Sequence, residues 1–283
     1  MGFDDCLRRC APCEIGASNA SDRQVVTYIY RDPLKNIPVE SREGAAEALS
    51  QAFNLRNRDS KRHHFGFSTS EDAVTWVVFT YLLRSGKLHA ALWRAGLIAN
   101  ETPIVAPALL LWGAPIRNDA RGATIRKRLS ELCKSLREDP NSFSEPDVII
   151  DLGESGLIFI EVKYLSGNDS KPDNYSGWSR YASAATLPWQ FEDIKASGCY
   201  ELARNWCLLK ALAADRPASL VNLGPARLFS GAEGGRLDRF ISALATDDLS
   251  HFKKVKWSDL LGKDWDDMPD WFAQFCRNRG LVA

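Results

Sequence analysis

The 283 residues carry 36 Lys and Arg against 36 Asp and Glu, so the formal net charge is +0 and no global basicity announces a nucleic-acid binder. A hydrophobic fraction of 45% with 25% charged side chains excludes a disordered chain and suffices for one large core, or one core with an appended subdomain. No stretch approaches the ~20 apolar residues of a membrane span, and the opening MGFDDCLRRC lacks a signal-peptide core, so a cytoplasmic protein without membrane contact is expected.

Residues 1–65 read as an N-terminal extension with a short extended run at 25–30 and a helical piece at 43–53. Within it, Cys6, Cys10 and Cys13 have the spacing C-x3-C-x2-C, which can ligate an iron–sulfur cluster or, with a fourth ligand, zinc. Seven cysteines, an odd number, argue against a disulfide framework, and Cys133, Cys199, Cys207 and Cys276 lie on helix-like segments as small core residues. Residues 70–86, SEDAVTWVVFTYLLRSG, are apolar nearly all round and predict a helix buried against a sheet. Ser68-Thr69-Ser70-Glu71 also spells a capping box, which would give Glu71 only the helix start to serve. A short helix over 87–98, a strand through 108–112 and a basic helix near 121–137 follow.

The segment EPDVIIDLGESGLIFIEVKYL, residues 145–165, predicts a buried β-hairpin with its turn at Gly153 to Gly156. Alternation puts Glu161 and Lys163 on one side, in line with Leu157 and Phe159. Asp147 joins them only if the connection has an odd length, carries a bulge, or splays near Pro146; otherwise it pairs opposite Val162 on the wrong face. In the favourable case the Asp147 and Glu161 carboxylates lie within about 5 Å, close enough to share one cation. Beyond the hairpin come a polar loop at 166–180, a helix over 199–213, a strand through 219–223 and a final helix, strand and helix.

Pro146-Asp147, thirteen residues, then Glu161-Val162-Lys163 resembles the signature of the PD-(D/E)XK nuclease superfamily, and Tyr164-Leu165-Ser166-Gly167 is similar to a bacterial branch of it. The resemblance covers residues 66–225 and implies an α/β protein with a restriction-endonuclease-like core, a mixed central β-sheet flanked by helices in the order αβββαβ. Residues 226–283 would be a C-terminal α/β elaboration packed on the same domain. The implied activity is metal-dependent hydrolysis of phosphodiester bonds, leaving 5′-phosphate and 3′-hydroxyl ends. Asp147, Glu161 and the Val162 carbonyl would hold Mg2+ or Mn2+, with Glu71, or less favourably Asp72, as the acidic residue facing the metal from the upstream helix. Lys163 would orient water or offset charge in the transition state.

On the downstream helix, Glu201 stands where glutamine is commoner in the superfamily and Asn205 where tyrosine is expected, leaving Arg204 as the phosphate-binding candidate. Superfamily members with an iron–sulfur cluster have one cysteine before the core and three after, the reverse of this chain, so neither cluster nor zinc is expected at the N-terminal triplet. The expected partner is nucleic acid, DNA ahead of RNA, and a homodimer stays open. Because the chain is neutral, contact would fall to local patches: Arg126, Lys127 and Arg128 with Arg121, the run 56–64, and Lys253, Lys254 and Lys256. Two alternatives compete. One is a degenerate nuclease fold binding nucleic acid or protein without cutting. In the other the match is accidental, and the chain is another mixed α/β enzyme or an interaction module with a Trp-rich surface; the three site residues would then lie far apart.

Overall fold

Apolar strands bounded by helices assemble into one mixed sheet in the computed structural model, which describes residues 2–18, 26–102, 106–168, 170–182, 190–244, 246–262 and 267–282. Strands β1 (Arg8–Cys10), β2 (Ile15–Ser18) and β3 (Thr27–Tyr30) form a small antiparallel sheet, with Val25 of the expected run outside the described residues. Helices α1 (Ala45–Gln51), α2 (Arg58–Phe65), α3 (Glu71–Arg84) and α4 (Leu88–Arg94) precede β4 (Ala108–Leu111) and β5 (Ala114–Pro115). Then follow α5 (Ala120–Ser135), β6 (Val148–Asp151), β7 (Leu157–Val162), α6 (Trp178–Ala182), α7 (Phe191–Ser197), α8 (Tyr200–Ala213) and β8 (Ala218–Gly224). The chain closes with α9 (Gly231–Ser242), β9 (Phe252–Lys256), α10 (Trp257–Leu261) and α11 (Asp270–Asn278).

The main sheet has the order β5-β4-β6-β7-β8-β9, antiparallel through β7 and parallel from β7 to β9. Every residue of β6 and β7 is buried, the pattern of central strands covered on both faces. One face packs Ile158, Ile160 and Val162 against α3, α4 and α11, and the apolar circumference of α3 leaves Ala73 to Leu83 buried. The other packs Leu157 and Phe159 against α5, α8 and α9. Within residues 1–65, Phe3, Cys6 and Ile29 form a small cluster of their own, while Ala45, Leu49 and Phe65 belong to the main core. Trp76, Trp112, Trp178, Trp206 and Trp257 are all buried, whereas Trp93 is half exposed. No helix of the described residues is long and apolar enough to cross a membrane.

Between β4 and β5 the chain reverses in two residues, Trp112 (φ 53) and Gly113 (φ 75), both left-handed as tight hairpins of this type require. A Cβ at Gly113 would overlap the Phe53 ring, whereas one at Gly86 (φ +71) meets nothing within 4 Å. Gly86→Ala should therefore lower stability by about 1 kcal/mol from backbone strain alone, and Gly113→Ala by about 2–4 kcal/mol from strain and clash together, as read by urea denaturation.

Candidate active site

The β6–β7 ladder pairs Val148 with Ile160 and Asp151 with Leu157, leaving a five-residue connection from Leu152 to Gly156, an odd number. One step beyond the ladder, Asp147 falls opposite Glu161, where side chains directly across an antiparallel pair stand roughly 5 Å apart at Cβ. Two bonds fix Asp147: its carbonyl accepts from the Trp112 N–H at 3.1 Å, and its Oδ2 accepts from the Val162 N–H at 2.8 Å. Lys163 N–H donates to the Leu223 carbonyl at 2.7 Å, carrying the β7–β8 pairing past the last strand residue. The site thus lies at the carboxyl end of two parallel strands, where ligand crevices open in α/β sheets.

Asp147, Glu161 and Lys163 line one open cleft of about 400 Å³ together with Glu71, Asp72, Lys61 and Glu201. The Lys163 ammonium is 2.6 Å from Glu161 Oε1, 3.0 Å from Glu201 Oε2 and 4.0 Å from Glu71 Oε1. Asn205 Nδ2 donates to the other Glu161 oxygen at 2.8 Å, and Arg204 Nε donates to Asn205 Oδ1 at 3.2 Å. Glu71 does not close a capping box. Ser70 caps α3 by accepting from the Ala73 N–H, while Glu71 Oε2 accepts from the Tyr164 N–H and the Ser166 hydroxyl, each at 2.7 Å. Asp72 turns away from Lys163 to Lys61, whose ammonium sits 3.1 Å from Asp72 and 3.1 Å from Glu145.

Charge dominates this cleft. Five carboxylates, Glu71, Asp72, Asp147, Glu161 and Glu201, line it with Lys61 and Lys163, and Glu145 and Arg204 join this set from outside the lining. Burial, then the Glu161 charge, pushes Asp147 well above the usual carboxylate range. Burial raises Glu161 to about 7, an effect Lys163 only partly offsets. Glu201 goes the other way: burial would lift it, but Lys163 and Arg204 hold it at about 2. Burial also disfavours the Lys163 ammonium, yet Glu161, Glu201 and Glu71 outweigh it and keep the group charged.

The basic patches expected to meet phosphate are placed differently. Arg126 donates to the carbonyls of Gly113 and Gln51 and lies over the Phe53 ring, and Arg128 donates to the Leu212 carbonyl at the end of α8. Lys127 is exposed beside Glu131, and none of the three lines the cleft. Arg204 is half-buried; burial works against its charge, but Glu201 and Glu161 raise its pKa above the ordinary value. Cys6 is buried, Cys10 and Cys13 are exposed at the tip of the β1–β2 hairpin, and the later four cysteines are buried. Among the described residues, no group of three or more His, Cys, Asp and Glu stands ready to hold a metal ion.

Glu201 and Asn205, read in the sequence only as departures from a pattern, are the α8 side chains that reach Lys163 and Glu161. Their signal was present: two polar residues four apart on a helix whose other positions are nearly all apolar share one buried face. Lys61 and Glu145 were not expected here at all, Lys61 being hidden in a basic run and Glu145 standing just before Pro146. Compared with known proteins, the chain matches no family model, no curated protein and no solved structure.

A carboxyl raised in the folded state leaves stability intact below its unfolded pKa, near 4.5, and takes it away as pH climbs through the folded value. Relative to Glu161→Gln, the wild-type protein in EDTA should lose on the order of 3 kcal/mol between about pH 4.5 and about pH 7, then level off. Denaturant melts of both proteins across that range check it; a difference flat in pH would mean Glu161 is ionised throughout.

Proposed function

We propose that this chain is a metal-dependent nuclease with a restriction-endonuclease-like core, hydrolysing phosphodiester bonds, of DNA ahead of RNA, through Asp147, Glu161 and Lys163. The observation that carries the reading is the β6–β7 register, which sets Asp147 opposite Glu161 with Lys163 two residues further on, in one cleft. With α4, β5, α5, α6 and α7 intervening, the elements α3, β4, β6, β7, α8 and β8 run in the order αβββαβ with the last strand parallel to β7, which supports it.

The donor set suits a hard divalent cation such as Mg2+ or Mn2+. Its side chains are carboxylates, and the surplus of negative charge that raises Asp147 and Glu161 is what such an ion would relieve. Asp147 and Glu161 would hold it with the Val162 carbonyl, and Glu71 would face it from α3; two carboxylates are within the number Mg2+ commonly takes, with waters completing its shell. When bound, the ion supplies polarisation of the phosphoryl group and a lowered pKa for water. The chain's own residues do the rest. Lys163, kept protonated by its carboxylate neighbours, acts as a fixed positive charge toward the phosphoryl oxygens and not as a base. Glu201 would keep that ammonium in place if Glu161 were to hold the cation, and Asn205 donates to the Glu161 carboxylate. A second reading, a nuclease fold that binds without cutting, draws on the two shortest contacts of Lys163, both carboxylates, which neutralise it where it stands.

Cleavage assays on DNA and RNA with Mg2+, Mn2+ or EDTA decide between them. Asp147→Asn, Glu161→Gln and Lys163→Met should each slow cutting by a hundredfold or more, equivalent to ~3 kcal/mol of transition-state stabilisation. Their stabilities should diverge. Asp147→Asn removes a repelling charge and should leave the melting temperature unchanged or raise it, whereas Lys163→Met strands Glu161 and Glu201 without their cation and should lower it. Mg2+ should raise the wild-type melting temperature and fail to do so for Asp147→Asn. Folded variants that cut at the wild-type rate would remove these residues from catalysis.

A further inference from the structure

Beside the carboxylate cleft runs a second, larger groove of about 760 Å³, and the two share Thr69. Its floor includes Tyr164 and Leu165, the residues directly after Lys163. One wall is a strand face: Tyr28 and Tyr30 of β3, with Val26 just before it, alternate on the side opposite Ile29, which belongs to the small N-terminal cluster. The other wall is a helix face, with Trp271, Gln274, Phe275 and Asn278 spaced as one stripe of α11. Asn36 ties the walls together by donating to the Phe65 and Phe67 carbonyls, each at 2.7 Å, while its own Oδ1 accepts from Arg279 at 2.7 Å.

The chemistry of this groove is the inverse of its neighbour's. Among the described residues, its lining holds Lys35 and Arg279 and no carboxylate, although Lys35 is paired from outside with Glu14 at 2.6 Å. Tyr28 and Val26 are each 50% exposed, so an aromatic and an aliphatic face stand open to solvent next to the site. A basic peptide finds no acid among these described lining residues. An anionic strand whose bases are unpaired finds aromatic faces to stack on, with the Gln274 and Asn278 amides, bonded to each other at 2.6 Å, beside them, and no repelling carboxylate among the described lining residues. A duplex cannot use these faces, because its bases already stack on one another.

We infer that the groove binds an unpaired nucleic-acid strand, its bases stacked on Tyr28 and Trp271, and delivers that strand to the carboxylate cleft. The inference rests on the nuclease reading for its delivery step, but the binding itself can be tested separately. Fluorescence anisotropy in EDTA would follow a labelled single-stranded 12-mer of thymidine, a duplex of the same length, and a single-stranded oligouridine competitor that separates ribose from deoxyribose. The single strand should bind more tightly than the duplex. Tyr28→Ala should weaken it about tenfold or more while leaving the duplex unchanged, and Tyr28→Phe, which keeps the ring, should restore it. Trp271→Ala should act in the same direction, but Trp271 packs on Tyr81 and Phe272, so the half-exposed Tyr28 is the decisive position. Preference for duplex, or single-strand affinity indifferent to Tyr28→Ala, overturns the inference even if the protein cuts DNA. Tyr28-dependent single-strand binding by a protein that cuts nothing in Mg2+ or Mn2+ would uphold the groove and reject the nuclease.

Discussion

The register of the β6–β7 hairpin is the constraint on which the rest of the site depends. Side chains alternate with a period of two, so a slip of one residue would carry Asp147 away from Glu161 and turn Ile149 and Phe159 toward the wrong core. The five-residue connection prevents the slip through bonds at its far end. Asp151 Oδ1 accepts from the Gly153 N–H at 2.9 Å and from Arg216 at 2.9 Å, while Arg216 also donates to the Gly153 carbonyl. Gly156, at φ 131 and pressed against the Pro217 carbonyl, leaves no room for a side chain where the connection meets the start of β8. An ion pair at one end of the hairpin therefore sets the geometry of the carboxylates at the other.

Fold and site pull against each other at Lys163. Burying a cation beside several carboxylates satisfies the ligand-free fold, yet the same contacts leave too little positive charge to ionise Asp147 and Glu161 comfortably. Lys61 repeats the arrangement with Asp72 and Glu145 on the adjoining side, its ammonium lying 4.9 Å from the Trp112 ring centre. Each lysine is held by at least two acids, so neither is free to leave without another cation taking its place. Loop 166–168 is held in the same way from below: Asn168 and Asn222 exchange amide bonds at 3.0 Å, and Asn222 lies opposite Glu161 across the parallel pair.

What the sequence made legible was whatever a local period controls. The buried helix at 71–84, the hairpin, the α8 helix and the parity of Glu161 with Lys163 all follow from spacing alone. What stayed hidden depends on where long side chains end. Arg126 and Arg128 look like a phosphate track because a helix shows its charges at regular intervals, but guanidinium forks on long stems reach back to backbone carbonyls. Ser70 and Glu71 spell a cap, and only the approach of Tyr164 and Ser166 shows that Glu71 is used elsewhere. The small β1–β3 sheet was missed apart from its third strand, since three- and four-residue strands with an exposed edge carry almost no hydrophobic pattern.

On the proposed reading, the two adjoining cavities would divide the electrostatic work of handling a polyanion. A phosphate cannot rest among five carboxylates and two lysines without further neutralisation, so attraction to a strand would have to arise elsewhere on a chain with no net charge. On the proposed reading the groove, whose described lining holds no carboxylate, supplies it through base faces, which are indifferent to the cation, while the cleft engages the backbone only once its negative surplus is met. Thr69 and residues 163–165 form the boundary between the two chemistries, and the strand that carries Glu161 and Lys163 runs directly into the floor of the groove. Binding and cutting would then be set by different residues of one continuous surface, with the divalent cation controlling only the second.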